Sequence, residues 1–307
     1  MAMRIFKTSK HRSSLALILL SAFFMTFLTA CGSLTGNTGS SPFTLSFLGD
    51  KGGTDSSTSG DSKQLLAGAA LKHNPTGTTN LSWNPENGVL TVKITLFGLA
   101  PNSSHAAHIH AGNCQSNGDV VYALNPVVAD DHGNAIAETT TIEDVAHGIP
   151  ASGWYINVHN GLGMSELGHR PISCANIHNS KASKKTKQFV HVRMKGTTAP
   201  NEAASGLAKL TKEHGKYVLR ITMTGLANNS EHVAHIHTGN CKLQGPPVVM
   251  LNPVVADRWG NGTSVTTFDQ LPSSSNGLYV NVHTGATMND LKQSPLFFNP
   301  IACGNLS

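Results

Sequence analysis

VLTVKITLFGL at residues 89–99 and YVLRITMTGL at residues 217–226 decide the fold class. Both stretches are rich in β-branched residues, and polarity alternates from one residue to the next, as it does along a strand with one buried face. Short runs of the same kind recur along the chain, separated by Gly, Asn and Pro, while no segment carries a convincing amphipathic helical repeat. The pattern predicts an all-β protein.

The two stretches belong to two copies of one unit. GLAPNSSHAAHIHAGNC at 98–114 returns as GLANNSEHVAHIHTGNC at 225–241, and LNPVVAD occurs at both 124–130 and 251–257. YINVH at 155–159 and PISCANI at 171–177 return as YVNVH at 279–283 and PIACGNL at 300–306. A repeat of this length indicates domain duplication rather than a solenoid. Two tandem Greek-key β-sandwich or barrel domains are expected, at 64–178 and 189–307, with the polar, lysine-rich segment 179–188 as linker. The length of 307 residues suits about two domains, and a hydrophobic content of 39% is enough for real cores.

Residues 1–30 read as a lipoprotein signal peptide. Arg4, Lys7, Lys10 and Arg12 precede an apolar run that ends in Leu28-Thr29-Ala30-Cys31, which resembles a bacterial lipobox. The resemblance implies cleavage before Cys31 and lipidation of that residue. The alternative is an uncleaved anchor, although the run is short for a span of about 20 residues. Either way the rest of the chain is expected outside the cytoplasm, held to the bacterial membrane. Residues 31–63, rich in Gly, Ser and Thr, read as a flexible tether, interrupted by an apolar patch at 43–48 that is either a short strand or a sticky segment. Four of the charges behind the net +5 lie in the leader, so the remainder is nearly neutral and, outside the short linker, has no clustered Lys and Arg. That excludes a nucleic-acid footprint.

Besides Cys31, four cysteines occupy matching positions in the two copies, Cys114 with Cys174 and Cys241 with Cys303. In an oxidising compartment they read as one disulfide per copy. Thiol ligands for a metal are the alternative, against which stands the lack of short C-x-x-C pairs.

His108 and His110, and likewise His235 and His237, are separated by one residue, so on a strand both rings of a pair lie on one face. His159 and His283 end the YxNVH strands and offer a third imidazole per copy. Imidazole nitrogens without carboxylate or thiolate suit copper or zinc, and three ligands leave an open position. The competing reading is a set of core histidines bonded to backbone carbonyls. His11, His73, His132, His147, His169, His178, His191 and His214 have no counterpart in the other copy and are expected at the surface or in the leader.

HAAHIH followed by GNC, then VVADDHGNAIAETTTIEDV, WYINVHNG and PISCANI, resembles in order the copper strand, the ADxxG stretch, the last copper-histidine strand and the terminal cysteine strand of Cu,Zn superoxide dismutases. YVNVHT also resembles the signature strand of CHRD domains, without their usual GEIRG ending. The resemblance implies copper ligands at His108, His110 and His159 and at His235, His237 and His283, with His105 and His232 supporting each site by hydrogen bonding from behind. It also implies the Cys114–Cys174 and Cys241–Cys303 bridges. Residues 115–124 and 242–251 lack the histidine that bridges copper to zinc in the enzymes, so no zinc is expected. The arginine that attracts superoxide is displaced by one position in copy one (Arg170) and missing from copy two. The leading expectation is therefore a lipid-anchored copper-binding protein for storage, buffering or transfer of the metal. A copper-only superoxide dismutase and a metal-free structural or adhesive module are the alternatives.

Overall fold

The computed structural model describes residues 63–307 apart from 164 and 198. The expected signal peptide, the lipidation site Cys31 and nearly all of the tether lie outside the described residues.

The fold is all-β, as the alternation predicts. The first half of the described chain forms β1 (Gln64–His73), β2 (Thr76–Asn84), β3 (Val89–Phe97), β4 (Ser104–His105), β5 (Ala107–Ala111), β6 (Val120–Ala123), β7 (Val127–Val128), β8 (Asn134–Ile142), β9 (Trp154–His159) and β10 (Pro171–Ile177). The second half forms β11 (Gln188–Met194), β12 (Ser205–Glu213), β13 (Lys216–Thr224), β14 (Glu231–His232), β15 (Ala234–Asn240), β16 (Leu243–Met250), β17 (Val254–Ala256), β18 (Gly262–Phe268), β19 (Leu278–His283) and β20 (Pro300–Asn305). Two short helices, α1 (Glu166–His169) and α2 (Met288–Gln293), follow the YxNVH strands.

Copy one is a sandwich of two four-stranded sheets, in the orders β11-β2-β3-β8 and β10-β9-β5-β6. Leu90, Val92, Ile94 and Leu96 of β3 face inward, as their period of two requires, and meet Ile109 of β5 and Ile156 and Val158 of β9 in one core. Copy two keeps the same strand neighbours but joins them through β1 into one ten-stranded sheet, in the order β14-β17-β18-β13-β12-β1-β20-β19-β15-β16, with Leu219, Ile221 and Met223 of β13 in one core with Ile236, Val280 and Val282.

The first strand of each copy is exchanged. By sequence, 64–178 takes in β1 and 189–307 takes in nearly all of β11. In the sheets, β1 lies between β12 and β20 of copy two, with Leu71 opposite Gly206 and Lys72 opposite Cys303. β11 lies on β2 of copy one, from Gln188 opposite Trp83 to Met194 opposite Gly77. Ala69 and Leu71 thus join the copy-two core, and Val190, Val192 and Met194 join that of copy one. Both strands precede a hairpin, β2–β3 or β12–β13, and so occupy equivalent places in the two copies by sequence.

Both disulfides form, joining Cys114 to Cys174 and Cys241 to Cys303. Each closes a loop of about 60 residues and stabilises its copy by about 4 kcal/mol in the chain-entropy account. Each also ties the loop after the His-x-His strand to the terminal strand. In the same corner the backbone N–H of Cys114 donates to Asn176 Oδ1, and that of Cys241 to Asn305 Oδ1.

Candidate metal centre

Strand parity places the histidines. Ala107 and Ile109 of β5 point into the core, which turns His108 and His110 to the opposite face of the sheet. On β9, Ile156 and Val158 point inward, which turns Tyr155, Asn157 and His159 to that same outer face. β5 and β9 are antiparallel with His108 opposite Asn157 and His110 opposite Tyr155, so the three rings converge. β15 and β19 do the same in copy two, with His235 opposite Asn281 and His237 opposite Tyr279. Among the described residues, His108, His110 and His159 form one group able to hold a metal ion, and His235, His237 and His283 another. Within each group the ligand atoms lie within 4.8 Å of one another.

Carbonyl oxygens fix most of the ring orientations, because a carbonyl only accepts and the facing ring nitrogen must carry the proton. His110 Nδ1 donates to the Gly118 carbonyl at 2.9 Å, and His237 Nδ1 to the Gly245 carbonyl at 2.9 Å. His159 Nδ1 donates to the His169 carbonyl at 2.6 Å, and His283 Nδ1 to the Phe298 carbonyl at 2.7 Å. In the neutral rings this leaves the Nε2 lone pairs turned inward. His108 and His235 present Nδ1 instead, 3.1 Å from His159 Nε2 and 3.2 Å from His283 Nε2. The proton shared across each of these short contacts belongs to the Nδ1 nitrogen. Moving it to the outer Nε2 leaves three lone pairs directed at one point. In copy two that outer Nε2 meets Met288 Sδ at 3.4 Å.

His110 Nε2 and His237 Nε2 are buried and have no hydrogen-bond partner. A buried acceptor without a donor costs free energy unless something satisfies it. The rings around them are kept neutral by burial, which lowers the pKa of His159 and His235 to about 4 and holds that of His283 well below its usual value, with the neighbouring imidazoles adding to the effect. The site is thus a cluster of unprotonated nitrogens with no carboxylate in either group. The donor set fits a borderline metal such as copper or zinc.

His105 and His232 lie behind the groups. His105 Nδ1 donates to the backbone carbonyl of His159 at 2.9 Å and its Nε2 meets Ser103 Oγ at 2.7 Å. His232 repeats both contacts with His283 and Ser230. They hold the backbone that carries the third histidine of each group rather than one of its rings.

Sequence reasoning missed the residues that back the rings. Tyr155 stacks on His110 and Tyr279 on His237, each with ring centroids 5.0 Å apart. His169, expected to be a simple surface residue, stacks on His159 at 4.7 Å, and Phe298 takes its place over His283 at 4.6 Å. Both stand two residues before a strand-opening proline, Pro171 or Pro300, which is the signal that would have paired them. His73 departs from the expectation too: its Nε2 donates to the Ile172 carbonyl, and burial lowers its pKa to about 4. Arg170 lines a small cavity with the buried Glu202, between the copies.

The two centres differ in access. His108 is half-buried, whereas His235, His237 and His283 are all buried. β16, at eight residues, is twice as long as β6.

The chain matches the CHRD domain family twice, over residues 57–162 and 186–289, which together span more than half of its length. No curated protein matches it. Two sandwiches of the same plan, each with the same histidine group on the same face, agree with the double match: the chain belongs to the CHRD domain family.

Proposed function

We propose that this protein is a lipid-anchored, extracytoplasmic copper-binding protein that holds one ion per copy on three histidines, for storage, buffering or transfer of the metal. The observation that carries the reading is the pair of buried, partnerless nitrogens, His110 Nε2 and His237 Nε2, each aimed at two further imidazole nitrogens. Copper is favoured over zinc because nitrogen sites bind Cu(II) more tightly in the Irving–Williams order. The resemblance to the copper strands of Cu,Zn superoxide dismutases supports the same choice. The lipid anchor rests on the leader and Cys31 alone.

In this reading the protein's own groups do three things. Carbonyls of Gly118, His169, Gly245 and Phe298 hold the rings in one tautomer. Burial lowers the pKa of His108, His159, His235, His237 and His283 and so favours their neutral form. With three protein ligands among the described residues, a position is left through which the ion can be exchanged, with copy one the more accessible centre. A bound copper ion would supply one-electron chemistry, and the half-buried His108 leaves that side of centre one open.

Metal analysis of the chain from residue 32 onward, purified without a histidine tag and titrated with Cu(II), tests the proposal. Two tightly held ions are expected, falling to one in His159→Ala or His283→Ala. Uptake no greater than that of a triple alanine variant at His108, His110 and His159 combined with the same change at His235, His237 and His283 would discard the metal reading and favour a structural module.

A further inference from the structure

The two centres are not separate in the fold. The segments that follow the third histidine of each copy pack on one another. Asn160, next to His159, and Asn299, next to Phe298, are 1% and 2% exposed. Asn299 Nδ2 donates to Asn160 Oδ1 at 2.8 Å and to the Asn160 carbonyl at 3.0 Å, while Asn160 Nδ2 donates to the Leu296 carbonyl at 3.3 Å. The Leu296 side chain also packs beside Gly161, where a Cβ would lie 2.6 Å from its Cδ2.

These contacts reach both ligands within one residue. Phe298, whose carbonyl fixes the His283 ring, is bonded to Asn299. The Asn299 carbonyl in turn accepts from the backbone N–H of Thr284 at 2.9 Å and from its hydroxyl at 3.0 Å. Asn160 is held on its other side by the Arg170 carbonyl, next to His169, whose carbonyl fixes the His159 ring. A shift of either third histidine therefore displaces the backbone that orients the other.

Taking the metal-binding reading as its basis, we infer that Asn160 and Asn299 are positioning residues that couple the two centres, so that filling one raises the affinity of the other. Buried amides are bonded in one arrangement, and ordering the loop at one centre spares the other that cost. Coupling of this kind amounts to about five- to tenfold or more in affinity.

The test is stepwise binding of Cu(II), under competition from a chelator of known affinity, to the full chain and to Asn299→Ala and Asn299→Asp. Thermal melts of the metal-free proteins identify any variant that does not fold. In the unaltered chain the second ion is expected to bind about five- to tenfold more tightly than the first after the statistical correction. Asn299→Asp keeps the shape but loses the donor, and both variants should still take up two ions, with the coupling cut to within about twofold. A second readout needs no variant at Asn299: with His108 and His110 both replaced by alanine, loading centre two with diamagnetic Zn(II) should shift the ring resonances of His159. Two ions bound independently by the unaltered chain, or unmoved His159 resonances, overturn the coupling while leaving the metal reading intact. No uptake at all overturns both.

Discussion

Leu71→Asp is expected to unfold copy two while copy one keeps its structure, although residue 71 lies in the first copy by sequence. Leu71 is 1% exposed and sits in the copy-two core with Leu210, Leu219 and Ile301. Truncating a buried leucine costs about 2–5 kcal/mol, because the cavity it leaves collapses only in part. A carboxyl group placed there without a partner adds roughly another 2–3 kcal/mol or more. The sum is comparable to the whole stability of an ordinary domain, about 5–15 kcal/mol. β1 also separates β12 from β20, so loosening it strips ladder partners from two strands at once. Amide hydrogen exchange locates the damage. Protection should be lost in β12, β13, β19 and β20 and retained in β2, β3 and β9. The reciprocal change, Met194→Ala in β11, should weaken copy one first. Loss of protection in β2 and β3 on replacing Leu71 would mean that β1 folds back on its own copy, and the exchange would be wrong.

That exchange marks the limit of what local pattern reveals. The alternation in VLTVKITLFGL gave β3 its buried face, and the one-residue spacing of His108 and His110 placed both rings on one side of a strand. These are properties of single segments. Which strand lies beside which is a property of pairs, and β1 and β11 stand ahead of the same kind of hairpin. Nothing in either segment states its partner. The supports of the two histidine groups were hidden for a related reason. Copy two has no histidine to match His169, yet Phe298 holds the same place with a different ring. What the fold needs there is a backbone carbonyl to accept from the ligand's Nδ1 and a flat ring to cover it, and two residue types meet that need equally. The Asn160–Asn299 contact joins positions 139 residues apart and follows from the way the copies dock.

Acid is expected to unfold the metal-free protein well above the pH at which carboxylates titrate, because its buried histidines resist protonation. Burial lowers the pKa of His73, His105, His159 and His235 from 6.5 to about 4. Between those values the unfolded chain binds protons that the folded chain refuses, so stability falls as the pH drops from about 6.5 towards 4 and is fully present only above that window. His105, wholly buried, contributes about 3 kcal/mol of this loss by itself. One group works in the opposite sense. Glu202 is raised by burial from 4.5 to about 7, so the folded chain holds a proton there that the unfolded chain releases, and acidification restores that stability. Its weight is about that of one histidine, so it cancels one of the four and leaves the others to decide the outcome. The melting temperature of the metal-free protein should therefore fall steeply between pH 6.5 and 4, and His105→Gln should reduce the slope by about one proton. Copper ions should move the transition to lower pH, since a ring nitrogen whose lone pair is engaged cannot take up a proton. A melting temperature that stays level from pH 7 to 4.5 would show that the rings accept protons in the folded state, and the cluster would then lack the neutral, inward lone pairs on which its use as a metal centre depends.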